Sequence, residues 1–296
     1  MDLQKQRSAY MQSLNHNIIK SYAKINIGLK ILDIYPDGYH SIWTIMHEIN
    51  LHDIITINKR TDNLINLNLS GDITVPNDAN NLCIKAAQLF FDFYNINNKG
   101  LDIYLNKNIP VGAGLGGGSS NAASILLILN KIFKLGATKD DLRNIGFKLG
   151  CDVPFFIDGG AQISEGKGEK LSPVSFNLDE HTILLVCPEF SISTKWAYSF
   201  FKNNLPKSFN RNKFRTFQNN IDWSLFENDF EEVVKTTYPE VMKIRDRLES
   251  SGALFVSLSG SGSTMFGIFN DFSKAELAQQ ILKPYLCHIV KPIMRK

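Results

Sequence analysis

A glycine-rich segment in the first half of the chain has the composition of a phosphate-binding loop. IPVGAGLGGGSSNAAS, residues 109–124, places five glycines within residues 112–118. Glycine adopts positive φ without strain, and successive N–H groups in such a segment form a concave anion site. A helix that begins directly afterwards adds the unpaired N–H groups of its first turn. The glycine run (residues 112–118) therefore predicts a phosphate-binding site.

Two familiar phosphate-binding motifs fit the glycine run poorly. Gly112, Gly114 and Gly117 satisfy G-x-G-x-x-G, but a dinucleotide-binding unit needs a second parallel strand that ends in an acidic residue about 20 positions on. The sequence continues instead as helix, loop and helix. A Walker loop needs a lysine where Gly118 stands. Because the run has no cation of its own, a lysine from elsewhere or a metal ion must balance the charge of a transferred phosphoryl group.

Hydrophobic periodicity assigns the elements that surround the glycine run. Alternating apolar residues predict strands, which we expect to be antiparallel, over residues 18–35, 45–60 and 63–75. A strand is predicted at 100–109, and helical spacing predicts helices at 81–94, from Ser119 or Ser120 to about Leu135, and from the N-cap Thr138 to Gly150. The first sixteen residues are polar, and we expect a frayed extension or a short surface helix there.

The second half of the chain is predicted to contain a second glycine turn between two strands. After Pro154 we expect strands and turns as far as Thr194. Beyond these, the sequence predicts a helix at 238–252, strands at 253–259 and 264–269, and a last helix with a capping box of Ser273 and Glu276. A boundary near Gly166 would divide the chain into domains 1–166 and 167–296.

Composition excludes several classes of protein. The 296 residues carry a net charge of +3, from 32 basic and 29 acidic side chains without a block of one sign, which argues against a nucleic-acid or membrane partner. No apolar run approaches the roughly 18 residues of a membrane-spanning helix. The four cysteines are far apart, as in reduced intracellular proteins. We expect a cytoplasmic protein that is a monomer or a weak homodimer.

Three motifs resemble the signatures of the GHMP kinases, which include galactokinase, homoserine kinase and mevalonate kinase. The segments are PVGAGLGGGSSNAA at 110–123, AKINIGLKILDIYPDGYHSIWTIMHEINLHD at 23–53 and SLSGSGSTMFGIF at 257–269. They occur in the order typical of the family, and the resemblance extends over about residues 22–269. The chain departs from the family pattern at Ser21 and Tyr22, where Pro or Ala-Pro often precedes Ala-Lys, and at Cys151, where Ala is usual.

The resemblance implies a fold and an activity. The fold is of the α+β class, a two-domain GHMP-kinase fold with the active site in the cleft between the domains. The activity is ATP-dependent phosphorylation of an alcohol, for which Mg²⁺ is expected. The DGYH motif at residues 37–40 is similar to that of the members whose acceptor is a cytidyl diphosphate sugar alcohol of the non-mevalonate route to isoprenoid precursors.

The resemblance also implies roles for single residues. Asp152 matches the base that takes the proton of the acceptor hydroxyl, and Lys24 matches the lysine that stabilises the phosphoryl charge. The implied ATP-binding residues are Pro110, Gly112, Ala113, Gly114, Leu115, Gly116, Gly117, Gly118, Ser119 and Ser120, with Asn81, Leu82 and Lys107 on the adenine side. Either Ser119 or Ser120 is expected near Mg²⁺. The implied acceptor-binding residues are Asn26, Asp37, Tyr39, His40 and Tyr198, with cytosine between Tyr39 and Tyr198.

Other functions remain open at the level of sequence. A homoserine or mevalonate kinase is the main rival, although the Asp37–His40 motif argues against both. A nucleotide-binding protein without catalysis would keep the glycine run but would have no need of both Lys24 and Asp152. A dehydrogenase follows only from the literal G-x-G-x-x-G spacing.

Overall fold

The described part of the chain forms two compact units. The computed structural model describes residues 17–71, 73, 75–97, 99–174, 176, 178–202, 205, 209 and 221–295, so the extension or helix predicted for the first sixteen residues lies outside it. The first unit contains the described residues up to Tyr22 and those within 52–109 and 117–158, and the second contains the described residues within 23–51, 110–116 and 159–296. The division predicted at Gly166 stays a prediction.

Two long strands, β1 (Ile18–Ile34) and β2 (His40–Lys59), pair with each other and contribute residues to both units. In the first unit, the end of β2 pairs antiparallel with β4 (Leu101–Asn106). β4 pairs in turn with β3 (Ile65–Ser70), and this pairing is parallel. The antiparallel arrangement expected for β3 is therefore wrong. The reason is that a helix connects β3 to β4, as parallel neighbours require.

Four helices complete the first unit within the described residues: α1 (Leu82–Phe93), α2 (Gly117–Phe133), α3 (Lys139–Phe147) and α4 (Val153–Asp158). Helix α1 is confirmed, as is the N-cap of α3, where Thr138 and Asp141 form a capping box. Helix α3 ends three residues before Gly150.

Two expectations about these helices are wrong. Helix α2 begins at Gly117 rather than at a serine, so the last glycines of the run form its first turn. Residues 153–158 form helix α4 where strands and turns were expected. Pro154 stands in the first turn of α4, a position at which its missing N–H costs nothing.

The second unit contains two sheets. The first half of β2 pairs antiparallel with β5 (Ala161–Gly166), which pairs with β6 (Lys170–Pro173). The other sheet is antiparallel in the order β10 (Leu286–Val290), β7 (Thr182–Cys187), β9 (Met265–Phe269) and β8 (Phe255–Leu258). The described helices are α5 (Thr194–Ser199), α6 (Phe230–Thr237), α7 (Pro239–Ser250) and α8 (Phe272–Ile281), with 3₁₀ turns at Phe200–Lys202 and Trp223–Leu225.

Helices α6, α7 and α8 pack on the β7–β9 sheet through a core that includes Val234, Ile244, Leu248, Leu184 and Met265. The predicted helix at 238–252 is confirmed, with Pro239 at its start and Gly252 beyond its end at φ +85°.

The predicted capping box of Ser273 and Glu276 is wrong, because Asp271 is the N-cap of α8 and accepts from the Ser273 N–H. None of the helices in the described residues combines the length and apolar character needed to cross a bilayer.

Candidate active site

The glycine run alternates glycines in the left-handed region with buried apolar residues. Gly112, Gly114 and Gly116 have φ values of +66°, +78° and +70°. Ala113 and Leu115 between them are 5% and 1% exposed. The two interruptions of the run therefore fix it to the protein interior, while the glycines supply a conformation that other residues rarely adopt.

The carbonyl oxygen of Gly114 accepts hydrogen bonds from two side chains. It accepts hydrogen bonds from Lys24 Nζ at 2.7 Å and from Ser259 Oγ at 2.9 Å. A Cβ atom at residue 114 would lie 2.0 Å from the Ser259 carbonyl oxygen, so only glycine fits there. Ser259 belongs to the third signature and was not singled out from the sequence.

Lys24 is 3% exposed, and its ammonium group also donates to Asn26 Oδ1 at 2.5 Å. Asn26 is held in turn by Thr44, whose Oγ1 accepts from Asn26 Nδ2 at 3.0 Å. The backbone N–H of Lys24 donates to Leu115 O. Two of the predicted site residues, Lys24 and Asn26, thus lie together beside the middle of the glycine run.

Protein donors occupy the backbone carbonyls of residues 113–115, in the middle of the glycine run. Besides the bonds to Gly114 and Leu115, Ala113 O accepts from Thr264 N at 3.2 Å. The run continues into α2, whose first-turn N–H groups have no partner within a helix. The segment therefore keeps N–H donors rather than carbonyl acceptors for a ligand, which suits an anion.

A buried polar network holds the residues on both sides of the glycine run. It consists of Ser21, Asp53, Lys107, Ser120 and Asn121. The Asp53 carboxylate is 0% exposed and accepts four hydrogen bonds. Oδ1 accepts from the N–H groups of Asn108 and Ile109, and Oδ2 accepts from Lys107 Nζ and Asn121 Nδ2, at 2.7–2.8 Å.

Lys107 occupies the interior of this polar network. Its ammonium group donates to Asp53 and, at 2.7 Å, to Ile109 O. Burial lowers the pKa of Lys107, although the neighbouring Asp53 favours the charged form. A Cβ atom on Gly117 would lie 3.0 Å from Lys107 Nζ. The side chain thus supports the start of α2 from within the unit.

Ser119 and Ser120, the two serines of which one is expected near Mg²⁺, differ in their surroundings. Ser120 is buried, and its hydroxyl lies 2.7 Å from that of Ser21. Ser119 is half-buried, and its Oγ lies 4.0 Å from the position of a Cβ atom on Gly150. The Ser119 hydroxyl thus lies near the turn that leads to Asp152. Within the described residues, no group of three or more His, Cys, Asp or Glu side chains has the arrangement of a metal site.

Two of the three residues predicted for the adenine side, Asn81 and Leu82, lie at the start of α1, whereas Lys107 follows β4. Asn81 uses its side chain to cap the helix: Oδ1 accepts from Cys83 N at 2.9 Å and Nδ2 donates to Pro76 O at 2.6 Å. A Cβ atom on Gly118 would lie 3.3 Å from Leu82 Cδ1. Leu82 is therefore a direct neighbour of the glycine run within the first unit.

The DGYH motif forms the hairpin between β1 and β2. Gly38 has φ +84°, and the Tyr39 ring is 54% exposed. Lys167 Nζ lies 4.6 Å from the centroid of that ring and is paired with the Asp37 carboxylate. This bond raises the pKa of Lys167 and lowers that of Asp37. Lys167 was missed from the sequence, because only the folded hairpin brings it to the motif.

Tyr198 reaches the same motif from helix α5. Its ring centroid lies 4.8 Å from that of His40, at an interplanar angle of 31°, and its other neighbour is Phe230 at 4.9 Å. Tyr198 and His40, 158 residues apart in sequence, are thus brought together as two of the predicted acceptor-binding residues. The position of cytosine between Tyr39 and Tyr198 stays a prediction, as does an active site in a cleft.

Comparison with known proteins supplies the family. Residues 81–160 match the GHMP kinases N terminal domain, and residues 207–286 match the GHMP kinases C terminal. The chain is 39% identical over 275 residues to 4-diphosphocytidyl-2-C-methyl-D-erythritol kinase of Clostridium beijerinckii, covering 90% of this chain and 95% of the relative. The same-named protein of Prosthecochloris aestuarii is 40% identical over 279 residues, covering 92% and 94%.

The structural comparison agrees with the sequence. The crystal structure of 4-(cytidine 5'-diphospho)-2C-methyl-D-erythritol kinase superposes with a TM-score of 0.75 and 26% identity, covering 93% of this chain and 98% of the other. This likeness confirms the predicted α+β, two-domain fold. The chain therefore belongs to the GHMP kinase family, in the group of the 4-diphosphocytidyl-2-C-methyl-D-erythritol kinases.

Proposed function

We propose that the chain transfers the γ-phosphoryl group of ATP to the 2-hydroxyl of 4-diphosphocytidyl-2-C-methyl-D-erythritol, in the non-mevalonate route to isoprenoid precursors. The observation that carries this proposal is the identity of about two residues in five, over nine tenths of the chain, with kinases named for that substrate. The position of Lys24 beside the glycine run supports it.

Phosphoryl transfer needs charge stabilisation and a group that accepts the proton of the attacking hydroxyl. Lys24 supplies the first, because its buried ammonium group is fixed by two protein oxygens and needs no rearrangement during the reaction. Asp152 supplies the second. It stands at the turn that precedes α4 and is half-buried.

The glycine run binds the triphosphate through its N–H groups and the first turn of α2. Of the two serines, Ser119 is the better partner for a phosphate oxygen or for Mg²⁺, since the Ser120 hydroxyl is already bonded inside the protein. Mg²⁺, when bound with ATP, neutralises charge on the transferred and leaving phosphate oxygens. Leu82 contacts the adenine group of ATP. Lys107 does not contact ATP directly in this proposal. It supports the residues before the glycine run through its hydrogen bonds to Asp53 and Ile109.

The cytidyl end of the acceptor binds at the hairpin motif. Tyr39 offers an exposed ring, and the next residue, His40, forms an aromatic pair with Tyr198. Asp37 and Lys167 place opposite charges at this hairpin, of which the lysine suits an acceptor diphosphate. We infer that Asn26, which is bonded to Lys24, contacts the sugar alcohol. Cytoplasmic location and a monomeric or weakly dimeric state remain predictions.

The direct test of the activity is a coupled assay with ATP, Mg²⁺ and three alcohols. We expect kcat/KM for the cytidyl substrate to exceed that for homoserine or mevalonate by about 10³-fold or more, because the site is built for polar groups that the other two lack. Phosphorus NMR identifies the product as a phosphate monoester. Comparable turnover of homoserine or mevalonate, or no ADP with any of them, contradicts the proposal.

Replacement of the base gives a second prediction. Asp152→Asn keeps the shape of the side chain but cannot accept a proton, so kcat falls by about 10²–10⁴-fold while both KM values stay nearly unchanged. Steady-state kinetics measure this. Asp158→Asn, six residues on and paired with Lys139 and Arg143, is the matched control and keeps the wild-type kcat. Equal kcat values for Asp152→Asn and wild type would contradict the assignment of Asp152 as the base.

The aromatic pair gives a third prediction. Tyr198→Ala removes the ring that packs on His40 and raises KM for the cytidyl substrate by about 5- to 100-fold, as expected for about 1–3 kcal/mol of base stacking. The KM for ATP does not change. Phe200→Ala, an exposed aromatic two residues away, leaves both values as in the wild type. A parallel rise of both KM values in Tyr198→Ala would point to damaged folding and count against the role.

A further inference from the structure

A segment that no sequence motif singled out, residues 227–229, is fixed to the strand that carries Lys24. Leu29 N donates to Glu227 O at 2.8 Å, and Asp229 N donates to Leu29 O at 2.9 Å. The Asp229 carboxylate also accepts from Ile31 N at 2.8 Å. These bonds make the segment a short parallel neighbour of β1.

Asn228, at the centre of this segment, is buried and uses every polar atom of its side chain. Nδ2 donates to Leu258 O at 2.7 Å and to Gly260 O at 2.9 Å, and Oδ1 accepts from Phe230 N at 3.0 Å. Leu258 ends β8, and Gly260 lies in the serine–glycine turn (residues 259–264) that follows it. One amide thus joins the β1 neighbour to the serine–glycine turn.

The serine–glycine turn lies directly against Lys24. A Cβ atom on Gly260 would lie 3.3 Å from Asn26 Oδ1 and 3.4 Å from Lys24 Nζ. In the same turn, Ser259 Oγ shares the Gly114 carbonyl with Lys24. A shift of the turn therefore changes both the space around the Lys24 ammonium group and the environment of the Gly114 carbonyl oxygen that accepts from it.

We propose that Asn228 is a positioning residue for phosphoryl transfer, which holds the serine–glycine turn in the place that fixes the Lys24 ammonium group. Asn228 acts through the turn and not by contact with either substrate. The inference rests on the proposed function, since it assumes that Lys24 stabilises the transferred phosphoryl group. Loss of the Asn228 side-chain amide is therefore expected to lower kcat more than it raises the KM of either substrate.

Asn228→Asp tests the role with almost no change of shape. The new carboxylate oxygen faces two carbonyl oxygens, whereas the protonated acid can donate to one of them. At neutral pH we expect kcat to fall by about 10- to 100-fold, with both KM values within about 3-fold of the wild type. The ratio of variant to wild-type kcat rises as the pH is lowered, because burial and the facing carbonyls favour the protonated acid.

Two further variants separate positioning from general damage. Asn228→Ala removes the donor without adding a charge, so kcat falls to a similar extent and the ratio to wild type does not rise at low pH. Asn130→Asp is the matched control, since Asn130 in α2 bonds both the N–H and the carbonyl of Ala137, and it keeps the wild-type kcat. Wild-type kcat in both Asn228 variants, or a kcat ratio in Asn228→Asp that is independent of pH, overturns the inference.

Amide hydrogen exchange gives a readout that does not need turnover. Thr264 N–H donates to Ala113 O, and its exchange is expected to be faster in Asn228→Asp and unchanged in Asn130→Asp. If the wild-type protein forms no product, this result contradicts the proposed function but not the positioning of the turn by Asn228. Unchanged exchange at Thr264 in Asn228→Asp and in Asn228→Ala contradicts the positioning role whether or not the wild type is active.

Discussion

The position of the glycine run depends on the hydrogen bonds of the buried Asp53 carboxylate. The carboxylate is fully buried, and its four hydrogen bonds join residues 108 and 109, before the glycine run, to Asn121 in helix α2 after it. The bond from Lys107 balances its charge within the same unit. An isolated carboxylate would be costly to bury, and four donors, one of them a paired cation, offset that cost. The glycine run can therefore be rich in glycine and still be fixed in position at both of its ends.

In the second unit, Lys24 is likewise a buried charged group held by hydrogen bonds. Lys24 is buried among oxygen acceptors, and the Gly114 carbonyl that receives it also receives Ser259. Because protein donors occupy the carbonyls of residues 113–115, the glycine run keeps its N–H groups for an anion. The three signatures, distant in sequence, thus share one set of hydrogen bonds: Lys24 from the first, Gly114 from the second and Ser259 from the third.

Much of this was predictable from sequence, and the failures have physical reasons. Helices α1, α3 and α7 follow from apolar spacing and from Asn81, Thr138 and Pro239 at their starts. The parallel pairing of β3 with β4 depends on long-range contacts that periodicity does not encode. Lys167 and Asn228 carry no motif, and their importance appears only when folding brings them to Tyr39 and to the serine–glycine turn. Asp53 ends the first signature, yet its four donors come from two later stretches of chain, residues 107–109 and Asn121.

We propose that the Asp53 network builds the ATP site in advance of binding, and calorimetric titration of Asp53→Asn tests this most directly. We expect the Kd for ATP to rise by about tenfold or more, because hydrogen bonds to the charged carboxylate are worth about 1.5–3 kcal/mol each. The amide of Asn has one acceptor oxygen, so two of the four donors lose their acceptor. The Kd for the cytidyl substrate stays unchanged. Asp102→Asn, in a partly exposed ion pair with Arg60 of the same unit, is the control and alters neither affinity. An unchanged ATP affinity in Asp53→Asn, or an equal loss for both substrates, would contradict the account.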